Sequence, residues 1–323
     1  MSESAAASVR FDVVLGRCDS FRAEVYVRAI VPAGTVDAAL TGTLTGPDCR
    51  LATTLPVTAT IRPVPGDTPG LVLGRAILTE PAFWTPELPN LYRLCVGLAA
   101  DGREISSVRQ PVGLRRSGVR GRSFWLDGRR FVPRGLVSAG SVDDVATFRA
   151  AGLTAVVTDP SEAFLDRCDA EGLAVIAWLP DSVVGVDAAS RRILAWSRHP
   201  AVFLAVLPDS LPGGTAAAVV ADTQPLRGTL LAAIAVDGTQ PPSPSPAGPD
   251  AVMVVLPGGG LPHPAWRAFE PAVPLVACRA EAFTDVSPSR RPCDVLQAAL
   301  AGWGTAADPP AHDWAGYVSG PLP

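Results

Sequence analysis

The chain is 323 residues long, enough for one large domain or two ordinary ones. Apolar residues make up 48% and charged residues 18%, which supports a substantial buried core. The net charge is −4 and every basic residue is Arg, scattered without a basic block, which excludes an electrostatic case for nucleic acid.

The opening MSESAAASVR has neither a basic n-region nor an apolar h-region, so we expect no signal peptide and a cytoplasmic location. No run of about 18 apolar residues occurs, so we expect no membrane-spanning helix. The first third is strand-like. Residues 9–15, 23–30, 36–45, 50–61, 71–79, 91–99 and 105–114 are short and β-branched, and several alternate apolar with polar. Gly, Pro and Asp clusters separate them and no helical period appears. Seven such segments predict an immunoglobulin-like β-sandwich over residues 1–116.

The pattern changes after Arg115-Arg116-Ser117-Gly118. SFWLDGRRFVPRGL (123–136) places Asp127-Gly128 between two apolar runs, which predicts a hairpin with a type I′ turn. Near-continuous apolar segments then recur at 131–137, 154–158, 173–179, 201–207, 230–236, 251–256, 273–279 and 314–319, as parallel strands buried on both faces should. Helical patterns lie between them at 142–152, 161–172, 187–198 and 294–303. Ser141 is a plausible N-cap, and Gly152 and Gly172 are stops. Eight strands with intervening helices predict a shortened TIM (β/α)8-type barrel over 117–323. The helices after strands five and eight are expected to be reduced or missing, because TQPPSPSPAGP (239–249) cannot be helical and the sequence stops at Pro323.

The six Cys (18, 49, 95, 168, 278 and 293) show no metal spacing, and with no secretion signal we expect free thiols rather than disulfides. No cofactor or metal is expected.

FWTPELPNLYRLCVGLAADG (83–102) and VGLRRSGVRGRSFWLDGRRFVPRGL (112–136) resemble the sandwich-to-barrel passage of glycoside hydrolase family 2, which includes β-galactosidases, β-glucuronidases and β-mannosidases. The residues that carry the resemblance are Trp84, Pro86, Pro89, Leu91 and Tyr92, then Gly113-Leu114-Arg115, Asp127-Gly128 and Arg134-Gly135. Asp127 replaces the usual Asn. Further on, Cys168-Asp169 and Gly172, the His199-Pro200 strand entry and VPLVACRAEAF (273–283) are similar to later barrel segments in the same order. The resemblance begins at the sandwich, without the sugar-binding jelly roll that precedes it in the family.

The resemblance implies two catalytic Glu residues, at the ends of the fourth and seventh barrel strands. Retaining hydrolysis needs two carboxyl groups about 5–5.5 Å apart, one donating a proton and one attacking the anomeric carbon. The corresponding positions here are Ser210 and Arg279. A serine hydroxyl is no general acid near neutral pH, and a guanidinium is not a nucleophile. The family's Asn-x-x-Arg on strand two reads Thr154-Ala155-Val156-Val157, and its following loop shrinks to Asp159-Pro160. The resemblance therefore implies a catalytically inactive family-2-like scaffold, acting in carbohydrate binding or as a structural or assembly module. The competing expectation is an active retaining β-glycosidase with relocated carboxylates, Asp209 and Glu281.

Asp159, Asp181, Asp209 and Asp237 each follow a barrel strand, and LPDS occurs twice, at 179–182 and 207–210. These residues either turn the chain and cap helices or form a polar rim for sugar hydroxyls or a cation; spacing does not choose. Trp178 is the best candidate to stack on a sugar, while His199 is expected to be structural. The expected partners are a glycan ligand and a second copy or other chain covering the incomplete barrel, with no nucleic acid and no membrane.

Overall fold

The computed structural model describes residues 9–31, 35, 37–65, 68, 70–242, 248–281, 288–304 and 310–322. The chain divides into two compact units, Met1–Trp84 with Leu88–Leu114, and Thr85–Glu87 with Arg115–Pro323.

The first unit contains β1 (Arg10–Cys18), β2 (Arg22–Ile30), β3 (Ala39–Asp48), β4 (Val57–Val64), β5 (Leu71–Thr79), β6 (Leu91–Ala100) and β7 (Arg103–Val112). All pairings are antiparallel, in the order β1-β2-β5-β4-β3-β6-β7. β4 changes partner along its length. Val57–Ile61 pairs with β3 and Arg62–Val64 with β5, so one strand passes between the two halves of a curled sheet. Period-2 alternation sets the core: Ala23, Val25, Val27 and Ala29 of β2 point inward, against Leu40, Leu44, Ile61, Leu94 and Leu98.

The second unit opens with a three-stranded antiparallel sheet of β8 (Ser117–Arg120), β9 (Ser123–Leu126) and β10 (Arg129–Phe131). Asp127 and Gly128 join β9 to β10 with φ of 46° and 76°, the two positive values a type I′ turn requires. Eight parallel strands then close into a barrel: β11 (Arg134–Val137), β12 (Thr154–Thr158), β13 (Val175–Trp178), β14 (Val202–Leu207), β15 (Leu231–Asp237), β16 (Ala251–Leu256), β17 (Leu275–Ala280) and β18 (Trp314–Gly320). β11 pairs with both β12 and β18, which completes the ring.

The helices are α1 (Val145–Ala150), α2 (Glu162–Glu171), α3 (Val186–Trp196), α4 (Gly213–Thr223) and α5 (Arg291–Gly304). Gly172 ends α2 at φ 81°, as the sequence pattern predicted, and Ser161 caps its start by accepting from the Phe164 N–H. Helix α4 was not anticipated. Its sequence, GGTAAAVVADT, opens on two glycines without a side-chain cap and carries too few large apolar residues to show a period.

No helix occurs among the described residues between β15 and β16; residues 243–247 of the Pro-rich stretch lie outside them. The outer face expected to need a partner there is covered by the chain itself. Trp266, in a short 3-10 turn after β16, is fully buried against the outward side chains Val252, Val254 and Leu256. Its indole N–H donates to the Gly238 carbonyl at 2.9 Å, and Phe269 packs on its edge. This face supplies no argument for a partner chain. No disulfide joins any two of the six cysteines.

Candidate functional site

In a parallel barrel, alternate side chains face the lumen, and the carboxyl ends of the strands form the rim where such folds place their chemistry. Here the lumen row includes Val156, Ile176, Trp178, Leu204, Val206, Ala233, Ala235, Met253, Val255, Val276 and Cys278. The outer row includes Val252, Val254, Leu275, Ala277 and Tyr317, in one cluster with Trp266 and the buried face of α5. Continuing each alternation to the strand end puts Thr158, Trp178, Asp237, Val255 and Ala280 on the lumen side of the rim. That row holds one carboxylate, Asp237.

The residues singled out in the sequence are distributed as follows. Ser210 lies exposed in the turn after β14, and its hydroxyl donates to Asp181 Oδ1 at 2.6 Å, so the two LPDS segments meet. Asp209 is exposed in the same turn. Asp159 adopts a positive φ of 49° and pairs with Arg192 at 3.2 Å. Asp237 accepts from the Thr239 N–H, closing a local turn. Trp178 is only 2% exposed and packs inside the barrel with its indole N–H unpartnered.

Arg279 follows the outer row of Leu275 and Ala277, and its lumen-side neighbour at the strand end is Ala280. Arg279 grips Glu281 through two nitrogens, Nε to Oε1 at 2.7 Å and Nη2 to Oε2 at 3.1 Å. The Ser319 hydroxyl also donates to Glu281 Oε2, at 3.3 Å. Ser319 stands opposite Arg279 in the β17–β18 register and two residues beyond the outward Tyr317. Arg279, Glu281 and Ser319 thus share the outer row. Asp209 and Glu281 belong to separate clusters: one solvent-facing in a turn, the other clasped against β18.

Three motif residues of the resemblance do converge, in a buried network away from the rim. Arg115 is 1% exposed, and its guanidinium donates to the carbonyls of His199 and Pro200. Asp169, on α2, accepts from His199 Nδ1 and from the Ala201 N–H, both at 2.8 Å. Burial pushes the Arg115 guanidinium down to about 9, with the Asp169 carboxylate opposing the shift, so Arg115 stays charged at neutral pH. Burial also raises Asp169, against the pull of His199, Ala201 and Arg115. Asp166, Asp169 and His199 offer three ligand atoms within 4.8 Å of one another, a spacing a metal could use. The donor set argues against that use, since both Asp169 oxygens are engaged and a buried guanidinium stands beside them. The network fixes the start of β14 to α2 and to the chain entering the unit.

The chain thus carries an antiparallel sandwich followed in sequence by a closed eight-stranded parallel barrel. Residues 16–115 match the family model for glycosyl hydrolases family 2. The match covers the first unit, and the second unit is compared through its fold. Among solved structures, Parabacteroides merdae β-glucuronidase is 16% identical, with a TM-score of 0.64 over 97% of this chain and 47% of that one. Bifidobacterium dentium β-glucuronidase, complexed with coumarin-3-O-glucuronide, is 15% identical, with a TM-score of 0.62 over 96% of this chain and 59% of that one. A putative β-galactosidase from Bacteroides fragilis is 15% identical, with a TM-score of 0.59 over 95% and 54%. The chain spans about half the length of these structures. No curated protein matches it in sequence. Among the described residues, no helix is long and apolar enough to cross a membrane.

Proposed function

We propose that this chain is a non-hydrolytic family 2 scaffold whose barrel rim binds glycan hydroxyls rather than cleaving glycosidic bonds. The observation that carries this reading is the single carboxylate, Asp237, on the lumen row of the strand ends. Retaining hydrolysis requires a proton donor and a nucleophile on the two sides of the scissile bond, about 5–5.5 Å apart. The positions resembling the catalytic pair hold Ser210 and Arg279. The nearby acid that could replace the nucleophile, Glu281, is held by Arg279 and Ser319 on the outer row. A carboxylate ion-paired with a guanidinium, and accepting from its Nη2 and from a hydroxyl, is a poor nucleophile. The exposed rim groups Asp181, Asp209, Ser210 and Asp237 suit hydrogen bonding to hydroxyls in a solvated mouth.

The test is a panel of fluorogenic β-glucuronides, β-galactosides and β-mannosides with purified protein. No fluorescence release above buffer is expected. Turnover that disappears in Asp209→Asn or Glu281→Gln would establish the hydrolytic alternative instead.

A further inference from the structure

The register of β8, β9 and β10 gathers arginines that the sequence spreads out. Residues 115–134 hold seven arginines and one acid, with never more than two arginines adjacent. Three of the seven are engaged. Arg115 is buried, Arg116 pairs with Asp127 at 3.0 Å, and Arg134 pairs with Asp294 at 3.3 Å. Arg120, Arg122, Arg129 and Arg130 are exposed, and no ion pair engages them among the described residues.

This small sheet closes the amino end of the barrel, opposite the rim. Its inward side chains Val119, Phe124 and Phe131 join the lumen cluster. Phe124 and Phe131 meet Phe203, near the start of β14, edge to face at 5.9 and 5.1 Å. The alternation then turns Gly118, Trp125 and Arg130 outward, each opposite the next across the three strands. Arg120 and Ser123 form the adjoining outward pair.

The outward face suits oxyanions. The Arg120 guanidinium lies over the Trp125 indole, 4.6 Å from the ring centroid. Stacking holds its fork of N–H groups in place, and no acid neutralises it. A Cβ at Gly118 would meet nothing within 4 Å, so the sheet is open beside the indole. Arg130 flanks the indole from β10. Neighbouring strands lie about 4.8 Å apart, so the backbones bearing Arg120 and Arg130 stand about 10 Å apart across the sheet. Arg130 also lines a cavity of about 420 Å³ beside α5, where Asp313 lines the same wall and repels anions. Anionic groups of a ligand are therefore drawn to the outward face.

Charge and apolar content together select the partner. The large apolar side chains of the sheet point inward and the indole lies under Arg120, so a protein partner finds no exposed apolar anchor here. Four free guanidiniums on a chain of net charge −4 do not make the broad positive field that nucleic acid needs. A planar carboxylate accepts two parallel N–H bonds from one guanidinium. A glycan carrying carboxylates at intervals supplies these groups to the arginines and hydroxyls to Ser123, without an apolar anchor.

We infer that the outward face of the β8–β10 sheet is a docking surface for a carboxylate-bearing polysaccharide, held by Arg120 and Arg130 from the strands on the two sides of Trp125. The inference does not rest on what the barrel rim does.

Titration calorimetry of the whole chain with oligogalacturonates tests it, with neutral dextran oligomers as the uncharged comparison. A Kd of about 0.1–1 mM is expected for the first and no binding for the second. Raising the salt from about 50 to 200 mM should weaken binding several-fold. Arg120→Gln combined with Arg130→Gln should weaken it by about tenfold or more. The melting temperature should hold, since both side chains are exposed. Gly118→Glu sets a carboxylate in the open space beside the indole and should abolish binding with every arginine in place. Arg103→Gln, at an exposed position of β7 in the first unit, should change nothing. The inference is overturned if oligogalacturonates fail to bind at about 10 mM, or if the double variant or Gly118→Glu binds as the parent chain does. It is equally overturned if a polyglutamate peptide or a single-stranded oligonucleotide binds this face more tightly, which would assign it to an acidic protein or to nucleic acid.

Discussion

Removing the Asp169 carboxylate should destabilise the barrel unit more than any change at its rim. Asp169 is buried, accepts two hydrogen bonds of 2.8 Å and offsets the charge of Arg115. Asp169→Ala strands a buried guanidinium, the Ala201 N–H and one nitrogen of His199. Breaking a buried pair from one side costs about 3–5 kcal/mol, because the remaining charge stays desolvated. For a unit of this size each kcal/mol lowers the melting temperature by about 2–4 °C, so a fall of roughly 6–20 °C is expected. Trp84 lies in the first unit and the other six tryptophans in the second, so fluorescence-detected melting reports the barrel. The control is Asp166→Ala. Its carboxylate also approaches His199, at 3.8 Å, but its side chain is 60% exposed and the change should stay within about 0.5 kcal/mol. Equal losses in the two variants, or a drop below about 2 °C for Asp169→Ala, would refute the claim that burial sets the value of this network.

Three further outcomes follow from packing and protonation. A Cβ at Gly135 would sit 2.8 Å from methyl groups of both Val156 and Val318, so Gly135→Ala should cost about 1–3 kcal/mol and lower the urea midpoint. Trp266→Ala should cost about 3–5 kcal/mol and bare the outer face of β16, which light scattering should register as association. His312 is buried and its pKa is depressed by desolvation, with Arg122 pushing the same way and Asp313 and the Phe269 carbonyl opposing. The unfolded chain then binds the extra proton, so this group's contribution is present above pH 6.5 and is lost as pH falls through the lower folded value. Urea unfolding on the two sides of pH 6.5 should show that loss in the parent chain and a smaller one in His312→Phe.

Most of the barrel was legible because its strands are buried on both faces and read as unbroken apolar runs. Residues 154–158 and 251–256 were bounded correctly from sequence alone. The sandwich strands were legible for the opposite reason, a strict alternation such as that of β2. Helix α4 was not legible, since Ala and Gly carry neither period nor cap. Nor was the cover over β16, because Trp266 works from a 3-10 turn in a Pro-rich stretch with no helical signature. At the rim, sequence could name the groups but not their faces. A one-residue step along a strand reverses a side chain, so only coordinates separate Arg279 from Ala280. The cavity beside α5 left no signal at all, as its walls come from segments far apart in the chain.

The two kinds of motif residue carry different energetic weights, which explains how the frame and the chemistry can part. Arg115, Asp169 and His199 hold one another in a dry interior, and losing any one leaves a desolvated polar group behind. Ser210 and Asp209 stand in water at a turn, where exchanging one side chain for another changes stability by only about 0.5 kcal/mol. Arg279 lies between these cases, tying Glu281 to the end of β17 on the outer row. Acids at the rim could therefore be replaced without loosening the barrel, whereas replacing Asp169 would open it. A fold maintained for binding or for structure alone would hold its interior network and release its rim.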